Sequence, residues 1–222
     1  MNNSKRNRAL VTFGDSWPAG AELNGNEVPY GNVLSELLSY KTYTNMAQPA
    51  TSNDHLILQM HSYIQHEHHN PLVETDAVFF ITSPARTMVY GEHNTPVEIY
   101  PWSDMSKGDV AYYYYKYMQT PMLEWFRLNS SILALQQMCT TANINDYYVV
   151  GWSECKFDMS GINLSKIYKN GLTTMSDWLG CNGDHEFTQN SRNKYIYPNT
   201  DHPNQLGHNL IASKLSEWIT ST

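Results

Sequence analysis

The tightest constraint on the fold is a five-residue run, Ala77-Val-Phe-Phe-Ile81, which is apolar at every position. A strand with one wet face alternates apolar and polar residues, so an unbroken run requires cover on both faces, as in a central parallel strand. Three other β-rich runs accompany it: Ala9-Leu-Val-Thr-Phe13, Thr42 to Met46, and Tyr147-Tyr-Val-Val-Gly-Trp152. Between them the apolar residues fall at helical spacing. Gly31 to Ser39 carries Val33, Leu34, Leu37 and Leu38, and Asn53 to Gln65 carries Leu56, Ile57, Met60 and Ile64. Pro121 to Ala142 carries Met122, Phe126, Leu133 and Met138, and Pro203 to Ile219 carries Leu206, Leu210, Ile211, Leu215 and Trp218. Ser52 or Asn53 is expected to cap the second of these helices. A short helix is expected near Leu172 to Leu179, inside a loop-rich stretch from Ser153 to Asn193.

Alternating strands and helices predict a three-layer α/β/α sandwich, flavodoxin-like, with a parallel sheet of about five strands. At 222 residues the chain reads as a single domain, 1–222. The alternation stops between Pro84 and about Thr120, and that stretch reads as an insertion rich in Tyr, Trp, Pro and Gly. Lysine and arginine number 14 against 21 acidic residues, a net charge of -7, which disfavours nucleic acid and anionic membranes as partners. Cys139, Cys155 and Cys181 are widely spaced and form no CxxC pair, so neither a disulfide framework nor a zinc knuckle is indicated. The apolar run after the basic start is only Ala9 to Phe13, shorter than the ~7–15 residues of a signal-peptide core. No stretch approaches the ~20 apolar residues that span a bilayer. The expectation is a soluble protein made without export by a signal peptide, its final site of action left open.

Two blocks at opposite ends of the chain carry chemistry. Gly14-Asp15-Ser16-Trp17-Pro18 follows the first strand, and Asn199-Thr200-Asp201-His202-Pro203-Asn204 precedes the last helix. Both fall where ligands of open α/β sheets bind, outside the carboxyl ends of the strands. A serine hydroxyl becomes a nucleophile when a base takes its proton, and a histidine held by a third group is the usual base. Ser16 and His202 supply that pair if the fold brings the two ends together. Asp15 is expected to tie its own turn through local backbone N–H groups.

These blocks resemble those of the SGNH (GDSL-type) hydrolase family, and the tail Asn204-Gln205-Leu206-Gly207-His208-Asn209-Leu210-Ile211-Ala212 is similar to the helix start that follows the family's histidine. The resemblance implies a serine esterase with Ser16 as nucleophile and His202 as base, without metal or organic cofactor. The orienting residue stays open, because Asn199 stands where the family has Asp, while Asp201 lies immediately before His202. The resemblance places the oxyanion donors at the N–H groups of Ser16 and Ala50, where the family's second block has glycine. Its third block carries an asparagine donor, but here the third strand runs on as Thr82-Ser83-Pro84-Ala85-Arg86. Ser83 or Arg86 is the candidate replacement, or Asn53 reaching in from the second block. Trp17, Asn53 and Arg86 are the candidate substrate contacts.

His61, His66, His68 and His69, with Glu67, lack the i, i+4 spacing of helical metal ligands and read as a solvated helix end. His208 reads as structural. Tyr90, Tyr100, Trp102, Tyr112, Tyr113, Tyr114, Tyr115 and Tyr117 offer flat faces with polar tips, suited to a sugar ring, a protein interface or packing onto the sheet. The expected activity is removal of a short acyl group such as acetyl from a carbohydrate or other small ester. The alternative is a catalytically degenerate module on the same fold that binds glycan or protein.

Overall fold

A computed structural model describes residues 7–65, 69–90, 96–101, 110–152, 155–181, 193–198 and 200–222. Its centre is an all-parallel sheet of β1 (Arg8–Phe13), β2 (Thr42–Asn45), β3 (Glu74–Ile81) and β6 (Ile144–Val150), in the order β2-β1-β3-β6. Among the described residues a fifth rung is present only as two single-residue parallel bridges beyond β6, Tyr148 to Ile167 and Val150 to Thr174. The expected architecture is therefore present with four full strands. The stretch after β6 contains short helical turns, which leave no extended run for a fifth strand.

The apolar run of β3 explains the layering. Ala77, Phe79 and Ile81 point to one face, where α3 (His55–Gln65) and α5 (Pro121–Ala142) supply Leu56, Met60, Ile132 and Leu135. Val78 and Phe80 point to the other, where α2 (Tyr30–Leu37) and α7 (Gln205–Ser221) supply Leu34, Ile211 and Leu215. Across three strands the rings of Phe13, Phe79 and Tyr148 stack at 4.7 and 4.9 Å. The three cysteines are buried, and none forms a disulfide among the described residues. No helix among the described residues is long and apolar enough to cross a membrane.

Helix α5 spans the residues its periodicity predicts, started by Thr120, whose hydroxyl accepts from Leu123 N–H, and ended by Asn143 in the left-handed region at φ 57°. The cap of α3 differs from expectation. The Ser52 hydroxyl has no partner among the described residues, and the Asn53 side chain turns away to Thr82. Asn53 is drawn off the helix because the end of β3 offers it both a donor and an acceptor.

The insertion forms an antiparallel pair, β4 (Thr87–Tyr90) and β5 (Pro96–Ile99), and a short α4 (Val110–Tyr113) that continues as a π-turn over Tyr114–Met118. It has a small core of its own, Ile99, Ala111 and Tyr114. It is also fastened to the start of α3: Glu98 accepts from Ser52 N–H and pairs with His55, the Thr87 hydroxyl donates to Asp54, and the Tyr100 hydroxyl donates to Ala50 O at 2.7 Å. Trp102 lies outside the described residues.

Candidate active site

The turn that carries Ser16 is built by a clamp on Gly14. The buried amide of Gln59 accepts from Gly14 N–H at 3.0 Å and donates to Gly14 O at 2.9 Å, and Gln48 N–H donates to the same carbonyl. Gly14 holds φ +141°, and a Cβ there would sit 2.7 Å from Phe80 Cβ and Pro18 Cγ, so only glycine fits. The chain then enters the four-residue α1 (Ser16–Ala19) with Asp15 as its cap. As expected of a turn-tying carboxylate, Asp15 Oδ1 accepts from Trp17 N–H at 3.2 Å.

Asp15 also does more than local work. Its other oxygen accepts from the Thr82 hydroxyl and from Arg86 Nη1, each at 2.8 Å, which joins the Ser16 turn to the end of β3 and the start of the insertion. Burial pushes the Asp15 carboxyl up from its ordinary value, and Arg86, Thr82 and the Trp17 N–H pull against that rise.

Ser16 is the first residue of α1, so its N–H has no acceptor within the helix. Its side chain is only 8% exposed, and its hydroxyl makes no hydrogen bond with a described residue. Catalytic pairs are commonly loose before substrate arrives. His202 lies beside the same turn. Its Nδ1 is 3.2 Å from Glu22 Oε1 and 3.2 Å from Asp201 Oδ1, and its charge reaches Asp15. Both carboxylates are at contact distance, yet neither approach is aligned as a hydrogen bond, and Nδ1 is buried without one. Asn199 lies outside the described residues.

Among the oxyanion candidates, Ala50 is exposed and holds φ 65°, a left-handed backbone that costs a residue with a Cβ about 1 kcal/mol. Its carbonyl is held by Tyr100, and its N–H has no partner among the described residues. Ser83 Oγ accepts from Ala85 N–H at 3.4 Å, which leaves its own proton to donate. Asn53 is 5% exposed and exchanges hydrogen bonds with the Thr82 backbone in both directions, so its amide serves the end of β3. Arg86 lies against Asp15 and over the Tyr100 ring. Trp17, expected at the substrate, corrects to a core residue: it is fully buried and packs against Trp152 and Phe80, since α1 turns its indole down onto the sheet.

Gln59 and Thr82 complete the site without having been singled out in sequence. Gln59 left a signal, a lone amide three residues after Leu56 on the apolar face of α3. Glu22 left none. Of the histidine group, His66 and His68 with Glu67 lie outside the described residues, while His69 Nε2 meets Ala142 O at 3.1 Å. No set of three or more metal-binding side chains gathers among the described residues.

His208 is fully buried. Its Nδ1 accepts from Tyr30 N–H at 3.1 Å, its ring stacks on Tyr30, and Nε2 has no hydrogen-bond partner among the described residues. Burial lowers its pKa to about 4, with Glu27 opposing and His202 reinforcing the shift. Because the folded value lies below the unfolded one, the neutral ring's contribution to stability is complete above pH ~6.5 and is lost as the pH falls toward 4. Urea unfolding at pH 7.5 and pH 4.5 should therefore differ by about 2–3 kcal/mol more in wild type than in His208→Asn, which keeps an acceptor for Tyr30 N–H but cannot take up the proton. Equal pH dependence in the two proteins would refute this.

No protein-family model and no curated protein matches the sequence. Solved structures do match the fold. A carbohydrate esterase, described by an active site with divergent catalytic and non-catalytic binding functions, superposes with a TM-score of 0.52 at 11% identity, over 98% of this chain and 70% of that one. A member of the lipolytic protein G-D-S-L family from Veillonella parvula DSM 2008 gives 0.49 at 12% identity, over 97% and 100%. The acetyl xylan esterase AlAXEase gives 0.47 at 15% identity, over 96% and 100%. At 11% identity the first of these matches shows a shared α/β fold.

Proposed function

We propose that this protein is a serine ester hydrolase that removes a short acyl group, such as acetyl, from a carbohydrate or other small ester. One observation supports the reading: His202, 186 positions after Ser16 in the chain, lies with its Nδ1 3.2 Å from Oε1 of Glu22, six residues after Ser16. Ser16 Oγ attacks the ester carbonyl carbon while His202 takes its proton. The oxyanion that forms receives the free N–H groups of Ser16 and Ala50, with the Ser83 hydroxyl as a third donor. The C–O bond then breaks, the alcohol leaves with the proton from His202, and water, activated by the same imidazole, releases the acid from Ser16. No step calls for a metal or cofactor. The polar composition and the exposed rings of Tyr90, Tyr113 and Tyr117 favour a sugar as the alcohol over a lipid.

A second reading, a binding module on the same fold, is favoured by a specific observation. No asparagine stands at the end of β3, and Asn53, a candidate replacement, is tied to Thr82. Losing one such donor costs roughly 10²–10³ in turnover.

Diisopropyl fluorophosphate separates the two. A working site should gain one phosphoryl adduct on Ser16, mapped by peptide mass spectrometry, and labelling should vanish in His202→Ala. A wild-type protein that stays unlabelled after prolonged exposure would sink the esterase reading in favour of binding.

A further inference from the structure

The geometry assigns Glu22 as the residue that positions His202, fixing the imidazole to the nucleophile turn through its Nδ1. This inference rests on the esterase reading for its catalytic consequence. Two carboxylates reach that nitrogen at the same distance, Glu22 and Asp201. They differ in what they can hold. Asp201 is the chain neighbour of His202 and moves with it, so its carboxylate cannot set where the ring lies relative to Ser16. Glu22 belongs to the other side of the site. Ala21 N–H donates to Ser16 O at 2.9 Å and Gly20 N–H to Trp17 O at 3.1 Å, so Glu22 is carried on the same compact turn as the nucleophile.

Three further observations support the assignment. Nδ1 of His202 is buried, so water does not supply its acceptor. Glu22 stands at φ 70°, a strained conformation for a residue with a side chain, and such strain persists where the surrounding structure enforces it. The contact also has neighbours that lock the two segments together: the Tyr197 hydroxyl donates to Glu27, Gln205 exchanges hydrogen bonds with the Val28 backbone, and His208 accepts from Tyr30 N–H. A small rotation about the Glu22 side-chain bonds aligns its oxygen with the Nδ1 proton. That bond leaves Nε2 as the basic nitrogen for Ser16 and stabilises the imidazolium formed when the serine proton is taken. The charged or titratable groups facing His202 are Asp15, Glu22, Asp201 and His208.

The test uses Glu22→Gln and Glu22→Gly, with Asp201→Asn for comparison. The Gln variant keeps shape and loses charge. The Gly variant relaxes the strained backbone, so it should unfold at no lower urea concentration than wild type while still losing function. With p-nitrophenyl acetate both should lower kcat by roughly 10- to 100-fold with KM little changed. The His202 Nδ1–H proton resonance, far downfield in wild type when it is hydrogen-bonded to the carboxylate, should move upfield or broaden away in Glu22→Gln. The NMR arm reads the contact whether or not the protein hydrolyses esters, so an inactive wild type with a moved resonance refutes esterase activity and leaves the Glu22 to His202 contact standing. An unchanged resonance and kcat in Glu22→Gln, or a resonance that moves only in Asp201→Asn, would overturn the assignment to Glu22.

Discussion

Ser16→Ala should lower p-nitrophenyl acetate turnover by roughly 10⁴-fold or more, and His202→Ala by a similar factor, with the double variant no worse than either alone. The non-additivity is the informative part. A nucleophile and its base act as one unit, so removing the second partner after the first has nothing left to abolish. Ser16→Ala should also leave the free energy of urea unfolding within about 0.5 kcal/mol of wild type, because the hydroxyl makes no hydrogen bond with a described residue. Comparable turnover in wild type and Ser16→Ala would move any ester cleavage to another group and end the serine mechanism.

Asp15→Ala should cost about 3–5 kcal/mol of stability, a fall of roughly 10 °C in Tm. The carboxylate is fully buried and has three partners: the Trp17 N–H, the Thr82 hydroxyl and the Arg86 guanidinium. Truncation removes the acceptor that all three share, and the loss of the Arg86 pair dominates, because a largely buried guanidinium loses a carboxylate 2.8 Å away. Asp15→Asn keeps an oxygen for Trp17 N–H and should fall between wild type and Asp15→Ala. A thermal melt of Asp15→Ala within 2–3 °C of wild type would show that the pair contributes little beyond its own desolvation cost.

The residues that pack were easier to read than those that hold the site. The apolar run of β3 announced a doubly covered strand, and α5 begins and ends where its apolar spacing and its Thr120 and Asn143 flanks require. Those signals are local. The fifth strand was not legible in the same way, since the place beyond β6 is filled by bridges at Ile167 and Thr174, whose pairing depends on tertiary contact. At the site, the two chemical blocks are short and contiguous, and Ser16 and His202 stood out in them. Asn53 misled because an amide ahead of a helix reads as a cap, and only the folded chain shows the free Thr82 backbone that takes it. Trp17 misled because a ring beside a nucleophile looks like a substrate contact, whereas the one-turn helix aims it into the core. Glu22 sits in an irregular loop with no periodicity, and its partner lies 180 residues on.

That separation has a kinetic consequence. Parallel pairing of β1, β2 and β3 needs only the first third of the chain, but the ties from Glu22, Glu27, Val28 and Tyr30 to His202, Tyr197, Gln205 and His208 close loops of nearly the whole length. Contacts so distant in sequence are slow to form, because the entropy of closure is spent before they return anything. In refolding, far-UV helicity should therefore recover before the contact between Glu22 and His202 forms.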